Sequence, residues 1–390
     1  MAGAGLHFFG QEEEDAVLEV LRTRQLSRYR APGDPIPSMT ARFEAELARW
    51  SGTAHCLGVN SGTSALLAGL LALGIGPGDE VIVPGYTFVA TMASVVYAGA
   101  TPVLAEVDES LTLDPADVAA RITSRTRAVI AVHMLGAPCD MASLDDLTRQ
   151  HGLALIEDVA QACGGRYRGR ALGGWGRFGA FSLNVFKVIT AGDGGAMITD
   201  DRALFERAFS IHDHGFRRFE GGALDGDGVF GLNLRMHELT GAVALAQVRK
   251  LDQILAHLRR RKRLLVEALG SIPRLRARTL HDADGECCTT HVYLALDRDR
   301  ARRLAKGLGT RTLAESVKHN YASMGQLLRR AEYHAGMLPR TDDLLGRSVG
   351  LGIGVRDDFL GFGLAVDLAA DDAAIAELAG RFRGAALELA

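Results

Sequence analysis

Lysine is the scarce cation of this chain. Lys187, Lys250, Lys262, Lys306 and Lys318 are the only lysines among 44 basic side chains, and Lys187 alone precedes Lys250. It sits in the apolar run Val185-Phe186-Lys187-Val188-Ile189. Arginine stays protonated, whereas a desolvated lysine can lose its proton and become a nucleophile. Such an amine can condense with an aldehyde. A lysine snorkelling from a strand end looks the same in isolation, so the neighbours decide.

Asp158 ends the apolar run Leu153-Ala154-Leu155-Ile156-Glu157-Asp158, where a doubly wound sheet places ligand-binding side chains. A carboxylate there can keep a ring nitrogen protonated, or simply cap a helix. Ser61-Gly62-Thr63-Ser64 follows a strand and opens a helix. Its N–H groups, hydroxyls and helix dipole suit a phosphate, though they also make an ordinary N-cap. Phe88, at another strand-to-helix junction, can lie against a flat ring or fill a core. An amine, a carboxylate, a phosphate cradle and an aromatic face are together the parts of a pyridoxal 5'-phosphate site.

The elements that must position these residues follow from the patterning. Short apolar runs over 57–60, 81–84, 103–107, 128–133 and 153–157 predict strands. Helical patterns over 61–73, 89–97, 114–122 and 144–151 alternate with them. That alternation implies right-handed βαβ units and a mostly parallel sheet covered on both faces. Residues 164–179 are glycine-rich and irregular. Strands over 180–183 and 196–199 then flank Gly192-Asp193-Gly194-Gly195, followed by a helix over 204–212 and a loop to about Phe230. Helical periodicity over 238–269 leads to further strands at 291–296 and 361–366. The expected organisation is a large α/β domain over 1–250, including the N-terminal segment, and a smaller α+β domain over 251–390.

Composition narrows the function classes. Apolar residues make up 47% and charged ones 23%, with a formal net charge of −3, close to globular averages. No basic stripe suggests a nucleic-acid partner; the run Arg259-Arg260-Arg261-Lys262-Arg263 falls in a helical stretch as a solvated face. Cys56, Cys139, Cys163, Cys287 and Cys288 show no finger or disulfide spacing, which favours a reducing compartment. Glu12-Glu13-Glu14 stands where a secretory signal would need a basic region. No apolar run reaches the ~18 residues of a membrane helix, so a soluble, cytoplasmic protein is expected. Gly174-Trp175-Gly176-Arg177-Phe178-Gly179 satisfies GxGxxG but leads into a strand, not a helix, which rejects a dinucleotide site. His212 and His214 lack a third ligand at sensible spacing, so no metal is expected.

Ordered stretches of this chain resemble the DegT/DnrJ/EryC1/StrS family of sugar aminotransferases. They are Asn60-Ser61-Gly62-Thr63-Ser64-Ala65-Leu66, Pro84 to Thr91, Glu157-Asp158-Val159-Ala160-Gln161-Ala162, Phe181-Ser182 ahead of Lys187, Ala191 to Ala196, His214-Gly215 and Gly231-Leu232-Asn233-Leu234-Arg235-Met236. The resemblance spans roughly residues 35–260 and implies the type I, aspartate-aminotransferase-like fold. It implies that Lys187 forms the Schiff base and shuttles the proton, and that Asp158 holds the pyridine nitrogen. Gln161 falls near the ring hydroxyl and Phe88 stacks on the ring. Gly62, Thr63 and Ser64, with Ser182, form the phosphate cradle. Asn233 reaches the phosphate of a neighbouring subunit, which implies a homodimer with shared active sites. The implied reaction is ping-pong transfer of an amino group from glutamate or glutamine to a keto-sugar, keto-cyclitol or related polar ketone. Oxidation, decarboxylation and elimination begin from the same linkage and stand as alternatives, with a non-catalytic cofactor-binding sensor as a further one. Relatives that act as dehydratases carry histidine in place of the lysine, and Lys187 argues against that branch. Leu234 stands where the family often has tyrosine, Met134-Leu135 replaces an aromatic-rich element, and the match fades beyond Leu269, especially around Lys318-His319-Asn320-Tyr321, regions that shape the substrate pocket in relatives.

Overall fold

The computed structural model describes residues 3–29, 38–218, 224–226, 229–356 and 363–388. Its strands are β1 His55–Val59, β2 Glu80–Pro84, β3 Thr101–Ala105, β4 Thr126–Val132, β5 Ala154–Asp158, β6 Arg166–Tyr167, β7 Arg170–Ala171, β8 Phe178–Ser182, β9 Gly195–Thr199, β10 Phe216–Arg218, β11 Leu224–Gly226, β12 Leu275–Ala277, β13 Thr290–Ala295, β14 Ser348–Ile353 and β15 Ala365–Val366. The helices used below are α1 Ala4–His7, α2 Gln11–Thr23, α3 Met39–Ser51, α4 Gly62–Ala72, α5 Val89–Tyr97, α6 Pro115–Arg121, α7 Met141–Gln150, α8 Arg202–His212, α9 Glu238–Arg249 and α10 Leu251–Leu269.

Seven strands form one sheet in the order β1-β9-β8-β5-β4-β2-β3. The run from β3 to β8 is parallel, and β9 lies antiparallel between β8 and β1. Successive strand residues point to opposite faces, and here both faces are buried. Leu57, Val59, Val81, Val83, Ala128, Ile130, Ile156 and Met197 pack on one side with α4, α5 and α8. Cys56, Ile82, Val129, Ala131, Leu155 and Ile198 pack on the other with α3, α7, α9 and α10. This two-sided burial explains why the strands read as unbroken apolar runs rather than alternating ones. A second sheet, β12-β13-β14-β15, is built from later residues. Among the described residues no helix is long and apolar enough to cross a membrane.

Several expected boundaries move. The third strand lies two residues earlier than expected, and it ends at Ala105 because Val107 leaves the sheet to bridge Leu113. The periodicity over 238–269 is two helices. The backbone opens at Lys250 (φ −91°, ψ −3°), whose Nζ turns to Glu13 Oε2 at 2.7 Å and the Phe8 carbonyl at 2.9 Å. The irregular glycine-rich stretch contains the short β6/β7 hairpin. The loop expected to run to Phe230 lies partly outside the described residues (219–223 and 227–228), as do residues 361–362 of the last expected strand.

The rejected GxGxxG stretch has a structural use. The N–H groups of Gly173, Trp175 and Gly176 donate to the buried Glu157 carboxylate at 2.7, 2.6 and 2.9 Å. His133 Nδ1 accepts the Cys139 N–H at 3.1 Å, so the ring proton sits on Nε2 and is donated to Glu157 Oε2, also at 3.1 Å. Removing this carboxylate would strand several buried donors, each costing about 1–3 kcal/mol. Glu157→Ala is therefore expected to lose roughly 3–5 kcal/mol of stability, read from urea unfolding. A loss under about 1 kcal/mol, within the range of an ordinary surface change, would contradict this role.

Candidate active site

The strand ends on one edge of the parallel sheet open into a cavity of about 370 Å³, within the usual range for small-molecule sites. Gly62, Thr63, Phe88, Asp158, Gln161, Ser182 and Lys187 all line it. Seven side chains and backbones spread over more than a hundred residues of sequence thus meet in one place.

Each is placed by its element. Asp158 ends β5; its Oδ2 accepts from Thr91 Oγ1 at 2.8 Å and its Oδ1 from the Ala160 N–H at 3.1 Å. Ser61 caps α4, accepting the Ser64 N–H at 3.0 Å. The Gly62 and Thr63 N–H groups occupy the first turn of α4, where helices have no internal acceptors. A Cβ on Gly62 would come within 2.8 Å of Ser182 Cβ, so glycine is what lets the helix start and the end of β8 form one cradle. Gln161 Oε1 accepts the Leu135 N–H at 3.0 Å, which leaves its Nε2 as the group to serve a ligand. Phe88, 38% exposed, lies at the mouth with its ring 5.3 Å from that of His319.

Lys187 rides on the loop joining β8 to β9. Leu183 N–H reaches Gly194 O at 2.9 Å and Ala191 N–H reaches Leu183 O at 2.9 Å, closing the loop at its base. The N-terminal segment braces it, with Gly3 N–H on Val185 O at 2.8 Å and Gly5 N–H on Lys187 O at 3.3 Å.

Two expected residues stand apart. The Ser64 N–H is taken by Ser61, and its hydroxyl donates to Asn60 Oδ1 at 2.6 Å, behind the cavity wall. Asn233 is exposed and does not line this cavity in the single chain.

Several lining or supporting groups have no role assigned from sequence, although the segment Lys318 to Tyr321 is singled out there as a departure from the family pattern. Thr87 and Thr91 form a hydroxyl pair 2.7 Å apart that continues to Asp158; their i, i+4 spacing around the start of α5 was the available signal. Lys318 and His319 arrive from far along the chain. Their carbonyls accept the N–H groups of Val89 and Thr87, each at 2.9 Å. Lysine scarcity could have flagged Lys318. Burial, with Lys187 and Lys318 nearby, pushes the His319 imidazole down to about 3, and its Nδ1 lies 3.1 Å from Ser316 Oγ.

The donor set fits pyridoxal phosphate: an amine, a buried carboxylate, N–H groups and a hydroxyl at a helix start, and an aromatic at the mouth. The fold and this site define a pyridoxal-phosphate-dependent transferase of the aspartate-aminotransferase-like type. The chain belongs to the DegT/DnrJ/EryC1/StrS aminotransferase family, a model of which matches residues 9–356. It is 37% identical over 319 residues to the erythromycin biosynthesis sensory transduction protein EryC1 of Saccharopolyspora erythraea, covering 80% of this chain and 84% of that one. It is 38% identical over 266 residues to the L-glutamine:2-deoxy-scyllo-inosose aminotransferase of Micromonospora echinospora, covering 66% of this chain but 63% of that relative. The solved structure of S. venezuelae DesV in complex with a ketimine intermediate superposes with a TM-score of 0.79 at 31% identity, covering 96% of this chain and 94% of that one.

Two outcomes are expected. Thr91→Val removes a buried donor to Asp158 and should weaken cofactor binding by roughly fivefold or more, measured by titrating the cofactor against its visible absorbance; unchanged affinity would contradict the hydroxyl's role. His319 is neutral when folded and charges near 6.5 when unfolded. The unfolded chain therefore binds the extra proton, and stability falls as pH drops from about 6.5 towards about 3. His319→Gln should flatten that slope by up to ~1.4 kcal/mol per pH unit, read from urea midpoints; an unchanged slope would contradict the depressed value.

Proposed function

We propose that this chain moves an amino group from glutamate or glutamine to a keto-sugar, keto-cyclitol or related polar ketone. The two half-reactions share one site, and the donor leaves as a keto acid before the acceptor enters. The observation that carries this reading is Lys187 in one cavity with Asp158, Ser182 and the start of α4.

In this reading the Gly62 and Thr63 N–H groups and the Ser182 hydroxyl hold the phosphate, helped by the positive end of α4. Asp158 holds a proton on the ring nitrogen, oriented by Thr91 and through it by Thr87. Gln161 Nε2 faces the ring hydroxyl, and Phe88 covers the ring and limits water. Lys187 Nζ would hold the cofactor covalently; released, it would take the proton from the donor carbon that bears nitrogen and, in the second half-reaction, deliver one to the acceptor carbon. When bound, pyridoxal phosphate supplies the electron sink that makes this proton removable.

The name of the Micromonospora relative, an inosose aminotransferase, supports a polyhydroxylated ketone as acceptor. The exposed Phe230 and Leu232 beside Asn233 support a homodimer in which Asn233 serves the neighbouring site. The seven-stranded and four-stranded sheets, built from separate stretches of chain, support a large and a small domain divided near residue 250. Five free, buried cysteines suit a reducing cytoplasm.

The name of EryC1, a sensory transduction protein, favours a second reading, in which the chain binds the cofactor without turnover. One set of measurements separates the two. Glutamate or glutamine is expected to bleach the visible band of the holoenzyme with stoichiometric release of keto acid. Lys187→Ala should lack that band and lose at least about a hundredfold in turnover. Full activity in Lys187→Ala would refute the proposal, and a wild-type band that no donor moves would favour the sensor.

A further inference from the structure

We propose that Lys318 is a recognition residue for an anionic group of the substrate, an inference that rests on the transferase reading of this cavity. Among the described residues lining it, Lys187 and Lys318 are the only lysines and no arginine is present, although arginine supplies most of the chain's positive charge. Lys187 is committed to the cofactor. Lys318 is thus the cation this chain offers to an incoming anion, and it is exposed at the mouth rather than buried in the wall.

Its backbone is fixed. The Val89 N–H donates to Lys318 O at 2.9 Å and the Thr87 N–H to His319 O at 2.9 Å, and Asn320 bridges Tyr86. Asn320 Nδ2 donates to the Ala314 carbonyl at 2.8 Å, and its Oδ1 accepts the Ala322 N–H at 3.1 Å. These bonds hold Lys318 against the start of α5, next to Phe88. The buried, neutral His319 ring stands beside Phe88 and feels both ammonium groups.

Two substrate groups carry the matching chemistry: a carboxylate of the amino donor, or a diphosphate on a nucleotide-linked acceptor. Calorimetric titration of the holoenzyme with succinate and, separately, with UDP distinguishes them without relying on turnover. We expect Lys318→Gln to keep the visible cofactor band while losing about five- to tenfold in affinity for one of the two probes, and Lys318→Arg to retain it. Loss for succinate assigns the donor carboxylate; loss for UDP assigns the acceptor diphosphate. Unchanged affinity for both, wild-type protein that binds neither probe, or loss of the cofactor band in Lys318→Gln would overturn the proposal. Failure of the transferase reading shows separately, as a wild-type band that glutamate and glutamine leave unmoved.

Discussion

The Glu157 carboxylate is where the parallel sheet, the glycine loop and the wall of the cavity are tied together. It takes three backbone N–H groups from 173–176 and a histidine N–H from beyond the end of β4. Because neighbouring strand residues point to opposite faces, locking Glu157 inside the protein fixes the direction in which Asp158 emerges. The next carboxylate along the chain then meets the cavity with its oxygens already oriented by Thr91 and Ala160. A buried charge of this kind persists only when its acceptor sites are filled, and here backbone amides fill them. The stretch that looks like a nucleotide motif gives the N–H groups of Trp175 and Gly176, with that of the preceding Gly173, to an internal carboxylate instead of a phosphate.

The cavity itself is an arrangement of scarce charges. In a chain built on arginine, the cations among the described lining residues are both lysines, one on the loop between β8 and β9 and one at the mouth. Burial keeps His319 neutral between them, so the ring contributes shape and a hydrogen bond to Ser316 rather than a third charge. On the opposite wall the helix start brings partial positive charge without any side chain. The result is a pocket whose fixed charges favour anionic groups at two separate points.

Much of this was legible in the sequence because it depends on local pattern. The strand-to-helix junctions at Ser61 and Phe88, the apolar run ending in Asp158, and the lone lysine in an apolar setting are all short-range signals. Those residues line one cavity, together with Gln161 and Ser182, which the family resemblance alone singles out. What escaped is what topology alone brings together. Lys318 and His319 join Thr87 and Val89 through two backbone hydrogen bonds across some two hundred residues, and no periodicity announces such a pairing. The break at Lys250 escaped because its cause lies in Glu13 and Phe8, on the N-terminal segment. An N-cap and an anion site share the same residue types, and in the single chain the Ser64 N–H bonds to the cap residue Ser61.

The central claim is that Lys187, of the five lysines, carries the cofactor. Borohydride reduction of the holoenzyme followed by mass spectrometry of its peptides tests it most directly. The account predicts one cofactor adduct per chain, on Lys187 Nζ. An adduct on Lys318 or another lysine, or no adduct on a protein that shows the visible band, would contradict it.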